Sequence, residues 1–110
     1  MFSTLGNMII AFSVAPATTA TPDAEMADAV SEAVRIVRES GLPNETNAMF
    51  TLVEGEWDEV MAVVKAATDA VLAVSPRVSL VLKADIRPGH SDQLHQKVRS
   101  VEDRLEGGER

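Results

Sequence analysis

An α+β sandwich of the split-βαβ, ferredoxin-like type with an extra C-terminal helix is the fold this 110-residue sequence predicts. Three observations point to it. Apolar patterns of strand and helix period follow one another as β-α-β-β-α-β, and a last helix comes after them. The first two helical stretches end at Gly or Pro signals that set their boundaries. The length suits one domain with a modest core and no deep site enclosed within a single subunit.

The first strand is residues 8–15 (MIIAFSVA), short, apolar and closed by Pro16. Met8 is an alternative start, and residues 1–7 read as a flexible tail. A loop of small residues leads to Thr21-Pro22-Asp23, which supplies an N-cap, a first-position proline and an acid for the first turn of a helix. Met26, Val30, Ala33, Val34 and Val37 form its apolar stripe, and Gly41 and Pro43 end it. Residues 44–54 read as a short strand and a longer one, bent near Ala48, with Gly55 as the break.

A second helix runs from about residue 56 to 74 on the stripe Val60, Val64, Ala67, Val71 and Val74, and Ser75-Pro76 stops it. Residues 77–87 (RVSLVLKADIR) make the last strand, up to Pro88-Gly89. Ser91 is the expected cap of a final helix with the stripe Leu94, Val98, Val101 and Leu105. The domain thus spans residues 8–105, and 106–110 read as a flexible tail. Right-handed crossovers place both main helices on one face of a four-stranded sheet. The other face stays open.

Composition excludes several classes. With 10 Lys+Arg against 17 Asp+Glu, the net charge of −7 disfavours duplex nucleic acid and anionic membranes as partners. Zero cysteines remove disulfides, thiolate metal sites and Cys nucleophiles, in keeping with a cytoplasmic protein. No apolar run approaches the ~20 residues of a membrane span, and the N-terminus lacks the charged region of a signal peptide.

Strand alternation sorts side chains by face. Ile10, Phe12 and Val14, then Phe50 and Leu52, then Val78, Leu80 and Leu82 are expected beneath the helices. Ile9, Ala11 and Ser13, then Met49, Thr51 and Val53, then Ser79, Val81, Lys83 and Asp85 fall on the open face, joined by Asn47. That face is too apolar for water and too rich in hydroxyls and amides for a dry contact. Two subunits packed there around a small polar ligand would resolve this, and the last strand offers an unblocked edge for pairing.

In order and spacing these residues resemble the small thiamine-binding proteins of ferredoxin-like fold. The likeness runs through Val14-Ala15-Pro16-Ala17-Thr18, the segment Met49-Phe50-Thr51-Leu52-Val53-Glu54-Gly55, the pair Glu59-Val60, then Arg77-Val78, Asp85-Ile86-Arg87 and Lys97-Val98-Arg99-Ser100-Val101. It spans nearly the whole domain. The first loop departs from the family's usual Pro-Leu-Gly, and Lys83-Ala84-Asp85-Ile86-Arg87 lacks a second acid. The resemblance implies binding of thiamine, or its hydroxymethylpyrimidine precursor, through the pyrimidine part. It implies no catalysis and no cofactor, a role in salvage or transport, and a homo-oligomer (a dimer or dimer of dimers) with its pocket at a subunit interface.

An aminopyrimidine needs neutral donors and acceptors in fixed places. Thr51 and Asn47 supply them, Ser13 adds a hydroxyl, Met49 lies on the same expected face, and Thr18 and Thr19 stand in the adjoining loop. Plain strand preference also accounts for Thr51, and turn chemistry for Asn47. Asp85, Arg87 and Lys83 fit a surface ion-pair set, and Glu54 fits an acceptor for amides at the Gly55 turn, on the face opposite Thr51. Met8, Met26 and Met61 read as packing residues, and Trp57 as packing over the sheet end. His90 and His95 lie five apart with no third ligand, so no metal site is expected. No nucleophile elbow, phosphate loop or Ser-His-Asp set is present. A structural or regulatory oligomeric module, or a small dimeric enzyme of the same fold, are the alternatives.

Overall fold

The computed structural model describes residues 6–17 and 22–107. β1 (Asn7–Pro16) starts at Asn7 and alternates strictly, burying Met8, Ile10, Phe12 and Val14. α1 (Pro22–Glu39) opens at the expected proline. β2 (Asn44–Thr46) and β3 (Thr51–Glu56) form a hairpin, followed by α2 (Trp57–Leu72), β4 (Val78–Ile86) and α3 (Gln93–Gly107). The sheet is antiparallel in the order β2-β3-β1-β4, the ferredoxin-like arrangement, with α1 and α2 on one face.

The core is made by periodicity. Ala29, Ala33 and Val37 on α1, and Val60, Val64, Ala67 and Val71 on α2, lie over the inward side chains of β1 and over Val53. Alanines at two levels of α1 let the two helices approach closely. Val30 lies at the margin of the α1 stripe rather than at its centre, and Val74, beyond the end of α2, is exposed. α2 begins with no loop: Glu56 closes β3 and is also the N-cap, its amide donating to Glu59 Oε1 at 3.1 Å in a reciprocal capping box. Trp57, at the first position of α2, is 36% exposed.

The third strand corrects the expected face assignment. Phe12 is opposite Thr51 and Ile10 opposite Val53, and directly opposed residues share a face. Thr51, Val53 and Gly55 therefore point toward the helices, while Leu52 and Glu54 point to the open face. Phe50 and Met49 are not strand residues at all. They belong to the four-residue connection 47–50 of the hairpin, in which Asn47 N donates to Phe50 O at 3.0 Å. Ranking by side-chain bulk put Phe50 and Leu52 inside, and a one-residue shift of alternation moves a whole strand to the other face. Space also selects this register. A Cβ on Gly55 would lie 3.3 Å from Val60 Cγ1 and 3.5 Å from Leu42 Cδ1, so the inward residue at the β3–α2 junction must be small.

β4 follows the predicted alternation: Val78, Leu82 and Ala84 pack against the core, and Ser79, Val81, Lys83 and Asp85 lie on the open face. Leu80 has the right face but remains exposed at the sheet edge. Only Leu94 of the α3 stripe is buried. Val98, Val101 and Leu105 project into solvent, and the helix continues through Gly107.

Candidate functional site

β1 is longer than its neighbour β3. Residues 7–12 pair with β3, whereas β4 accompanies β1 as far as Pro16. Past Phe12, one backbone edge of β1 has no strand beside it. A cleft of about 180 Å³ fills this place, on the helix side of the sheet. Its floor is β1 from Phe12 to Ala15, one wall is Val30, Ala33 and Val34 of α1, and the other is the hairpin turn from Thr46 to Thr51.

Four of the expected site residues border this cleft: Ser13, Asn47, Met49 and Thr51. Thr51 does so from the helix side and Asn47 and Met49 from the hairpin turn, not from the open face assigned to them. Thr51 points inward through its register with Phe12, and among the described residues its hydroxyl has no hydrogen-bond partner. Asn47 is a turn residue. Its Oδ1 accepts from Met49 N and Phe50 N, both at 2.8 Å, which leaves Nδ2 free to donate. Met49 is exposed on the turn and forms a rim. Ser13 is in register with Val81, so its side chain belongs to the open face while its backbone borders the cleft. Thr18, Thr19 and the expected cap Thr21 lie outside the described residues.

No ionisable side chain stands among the thirteen lining residues. Among the described residues the cleft therefore offers hydroxyls, an amide and backbone groups against apolar walls, and no acid, base or counter-ion. Val30, Val34 and Thr46 are lining residues that the sequence reading did not single out. The i, i+4 pair Val30 and Val34, flanking the core stripe of α1, is the signal that could have found them.

A second constellation lies on the open face. Glu54 is only 2% exposed. Its carboxylate accepts from Gln93 N at 2.8 Å, Leu94 N at 3.0 Å and Asn7 Nδ2 at 2.8 Å. It is the anion at the α3 N-terminus, where unpaired amides and the helix dipole favour negative charge. Glu54 thus accepts amide hydrogen bonds as expected, yet from α3 rather than from the Gly55 turn. This also displaces Ser91 from the capping role, and Asp92 leads into the helix with φ of 55°. One turn later Lys97 pairs with Asp85, and this bond holds the Asp85 carboxyl below the usual aspartate range. Glu54, Ile9 and Asp85 form one row across the sheet. α3 crosses the open face along that row and then leaves it.

The histidines serve locally. His95 Nδ1 lies 3.1 Å from Asp92 Oδ1 and His90 Nδ1 lies 3.3 Å from Pro88 O, both outside the cleft. Among the described residues no group of three or more His, Asp or Glu is placed to hold a metal ion, and no helix is long and apolar enough to cross a membrane.

Topology and cleft together define a ferredoxin-like α+β domain with a small side cleft whose described lining is uncharged. The sequence profile of the thiamine-binding proteins matches residues 10–102, and the chain belongs to that family. UPF0045 proteins of Mycobacterium bovis and Mycobacterium tuberculosis are each 53% identical to it over 97 residues, 87% of this chain and 92% of the relative. A Bacillus cereus domain of unknown function, DUF77, superposes with a TM-score of 0.75 at 31% identity, covering 87% of this chain and 91% of that one. A Thermotoga maritima protein provisionally assigned to thiamine biosynthesis or salvage superposes with a TM-score of 0.72, over 86% of this chain and 98% of that one. At 24% identity that likeness is one of fold.

Proposed function

We propose that this chain binds thiamine or its hydroxymethylpyrimidine precursor without transforming it, as a homo-oligomeric carrier or buffer in vitamin salvage or transport in the cytoplasm. The observation that carries the reading is the uncharged cleft beside the hairpin turn. An aminopyrimidine ring presents ring acceptors and an exocyclic amine, which the free Asn47 Nδ2, the Thr51 hydroxyl and the unpaired β1 edge at Ser13 complement. Met49, Val30 and Val34 supply apolar walls for its flat faces. At about 180 Å³ the cleft is below the ~300–1,000 Å³ of drug-sized sites. It suits one ring, so the cationic thiazolium half stays outside, where a second subunit or the Thr18–Thr19 loop completes the site.

Among the described residues the lining holds hydroxyls and an amide and no acid or base, which supports binding over turnover. Calorimetric titration with thiamine, hydroxymethylpyrimidine and the thiazole alone tests the reading. Saturable binding of the first two and not the third is expected. No binding by any of them, with the oligomer intact, overturns it in favour of a structural or regulatory module. Turnover of a bound compound overturns it in favour of an enzyme.

A further inference from the structure

The backbone of β1 presents the cleft with a directed pair of groups. Ala17 N donates to Arg77 O at 2.7 Å, and these two residues continue the β1–β4 register by one step. In an antiparallel ladder such hydrogen-bonded pairs recur at every second residue. Ala15, Ser13 and Ala11 therefore turn their N–H and C=O groups to β4, and the residues between them turn theirs to the other side. There Ile10 and Phe12 meet Val53 and Thr51 of β3. Val14 comes next on that edge and meets no described strand, and among the described residues neither of its main-chain groups is hydrogen-bonded. Val14 is only 7% exposed and lines the cleft. Main-chain groups this far from bulk water call for a partner. Pro16, one step further along the same edge, has no N–H, so the donor there is that of Val14, beside its own carbonyl.

We propose that this pair reads the amidine edge of the ligand ring: Val14 N–H donates to the ring nitrogen beside the exocyclic amine, and Val14 C=O accepts from that amine. The inference rests on the aminopyrimidine reading of the cleft and adds the orientation of the ring and the class of rings admitted. Within one extended residue the N–H precedes the C=O along the chain. The ring nitrogen therefore lies toward Phe12 and the amine toward Pro16. The two ends differ. β3 fills the Phe12 end, where Thr51 stands in register, whereas no described strand follows β1 on that side toward Pro16. In the hydroxymethylpyrimidine ring the substituent that bears the thiazolium is next to the amine, and this orientation sends it out at the open end. The second ring nitrogen then faces the hairpin turn, where Asn47 Nδ2 is free to donate. A ring with a carbonyl in place of the amine has donor and acceptor exchanged. To make both bonds it must turn over, which drives its substituent against Thr51. The cleft thus admits substituted aminopyrimidines and rejects the corresponding oxo compounds.

Amide hydrogen exchange read by NMR, with and without thiamine, tests the inference. In the free protein the Val14 amide is expected to exchange at least about tenfold faster than those of Ile10 and Phe12, which β3 covers. Equal protection overturns the inference, since the N–H would then already have a partner. Saturating thiamine is expected to slow Val14 by about tenfold or more, while Ser13 and Ala15, bonded to β4, change little. By calorimetry the oxo analogue of thiamine, in which a carbonyl replaces the ring amine, is expected to bind about 100-fold more weakly, each mismatched group being worth roughly tenfold. Thiamine that binds without slowing Val14, or an oxo analogue that binds as tightly, overturns this recognition edge and leaves the ligand reading standing. Failure of thiamine to bind at all overturns the two together.

Discussion

The two faces of the sheet draw on the same strands and end in opposite conditions. Toward the helices, β1 places Met8, Ile10, Phe12 and Val14, all buried and met by α1, α2 and Val53. Away from them it places Ile9, Ala11, Ser13 and Ala15, which α3 crosses only at the Ile9 row. The covered face is determined by volume, and almost every change there alters packing. The other is determined by attachment points, Glu54 and Asp85, with small residues left between taller neighbours. In this molecule apolar content alone does not mark the core. What marks it is having a second layer to pack against.

Substitutions can break that contrast. Ile10→Ala is expected to cost about 2–5 kcal/mol in urea unfolding, as a cavity under two helices should. Leu52→Ala on the open face, although it removes as many carbons, should cost about 1 kcal/mol when measured at low protein concentration. Equal losses would mean that the two faces are equally covered.

Glu54→Gln comes next, at about 1–3 kcal/mol, because it sets an amide donor against helix amides that the carboxylate now accepts. Its signature is local: hydrogen exchange at Gln93 and Leu94 should accelerate while the amides of β1 stay protected. Uniform acceleration would place Glu54 in the global core instead. Thr51→Val should leave stability within about 0.5 kcal/mol, since the hydroxyl has no partner to lose. Thiamine affinity should fall by about 0.5–1.5 kcal/mol, the worth of one hydrogen bond, read by calorimetry. Unchanged affinity would remove Thr51 from the site.

The smallest effect concerns the Lys97–Asp85 pair, half exposed and worth about 0–1 kcal/mol. Because the folded state lowers the Asp85 pKa, its contribution is present above the ordinary aspartate range and is lost as pH falls through the depressed value. The difference in stability between the wild type and Asp85→Asn should therefore vanish in acid and be constant near neutrality. A difference that grew on acidification would reverse the assigned sign.

Much of this architecture is legible in the chain. Pro22, Gly41 and Pro76 bracket elements where the structure has them, and the β1 and β4 alternations are read correctly because their inward residues are also their largest or most regularly spaced. β3 is not, because its most bulky neighbours, Met49 and Phe50, lie in a turn, and its inward positions carry Thr, Val and Gly. Bulk is a sound guide to facing only where both ends of a strand are known. Asn47, Met49 and Thr51 still gather at one cleft although the face assigned to them is wrong, since the hairpin that carries all three folds toward α1. The role of Glu54 toward α3 depends on contacts between segments far apart in sequence. Local patterns do not report those.

The absence of a loop between β3 and α2 has one more consequence. Thr51 and Glu54 stand three positions apart on opposite sides of a strand that runs directly into Glu56 as helix cap. Their identities can drift independently, one answering to a ligand and the other to a helix end. Their spacing cannot. Inserting or deleting a single residue between them would turn one of the two side chains to the wrong side and rotate α2 with it. Evolution of this segment should therefore proceed by exchange of residues and almost never by change of length.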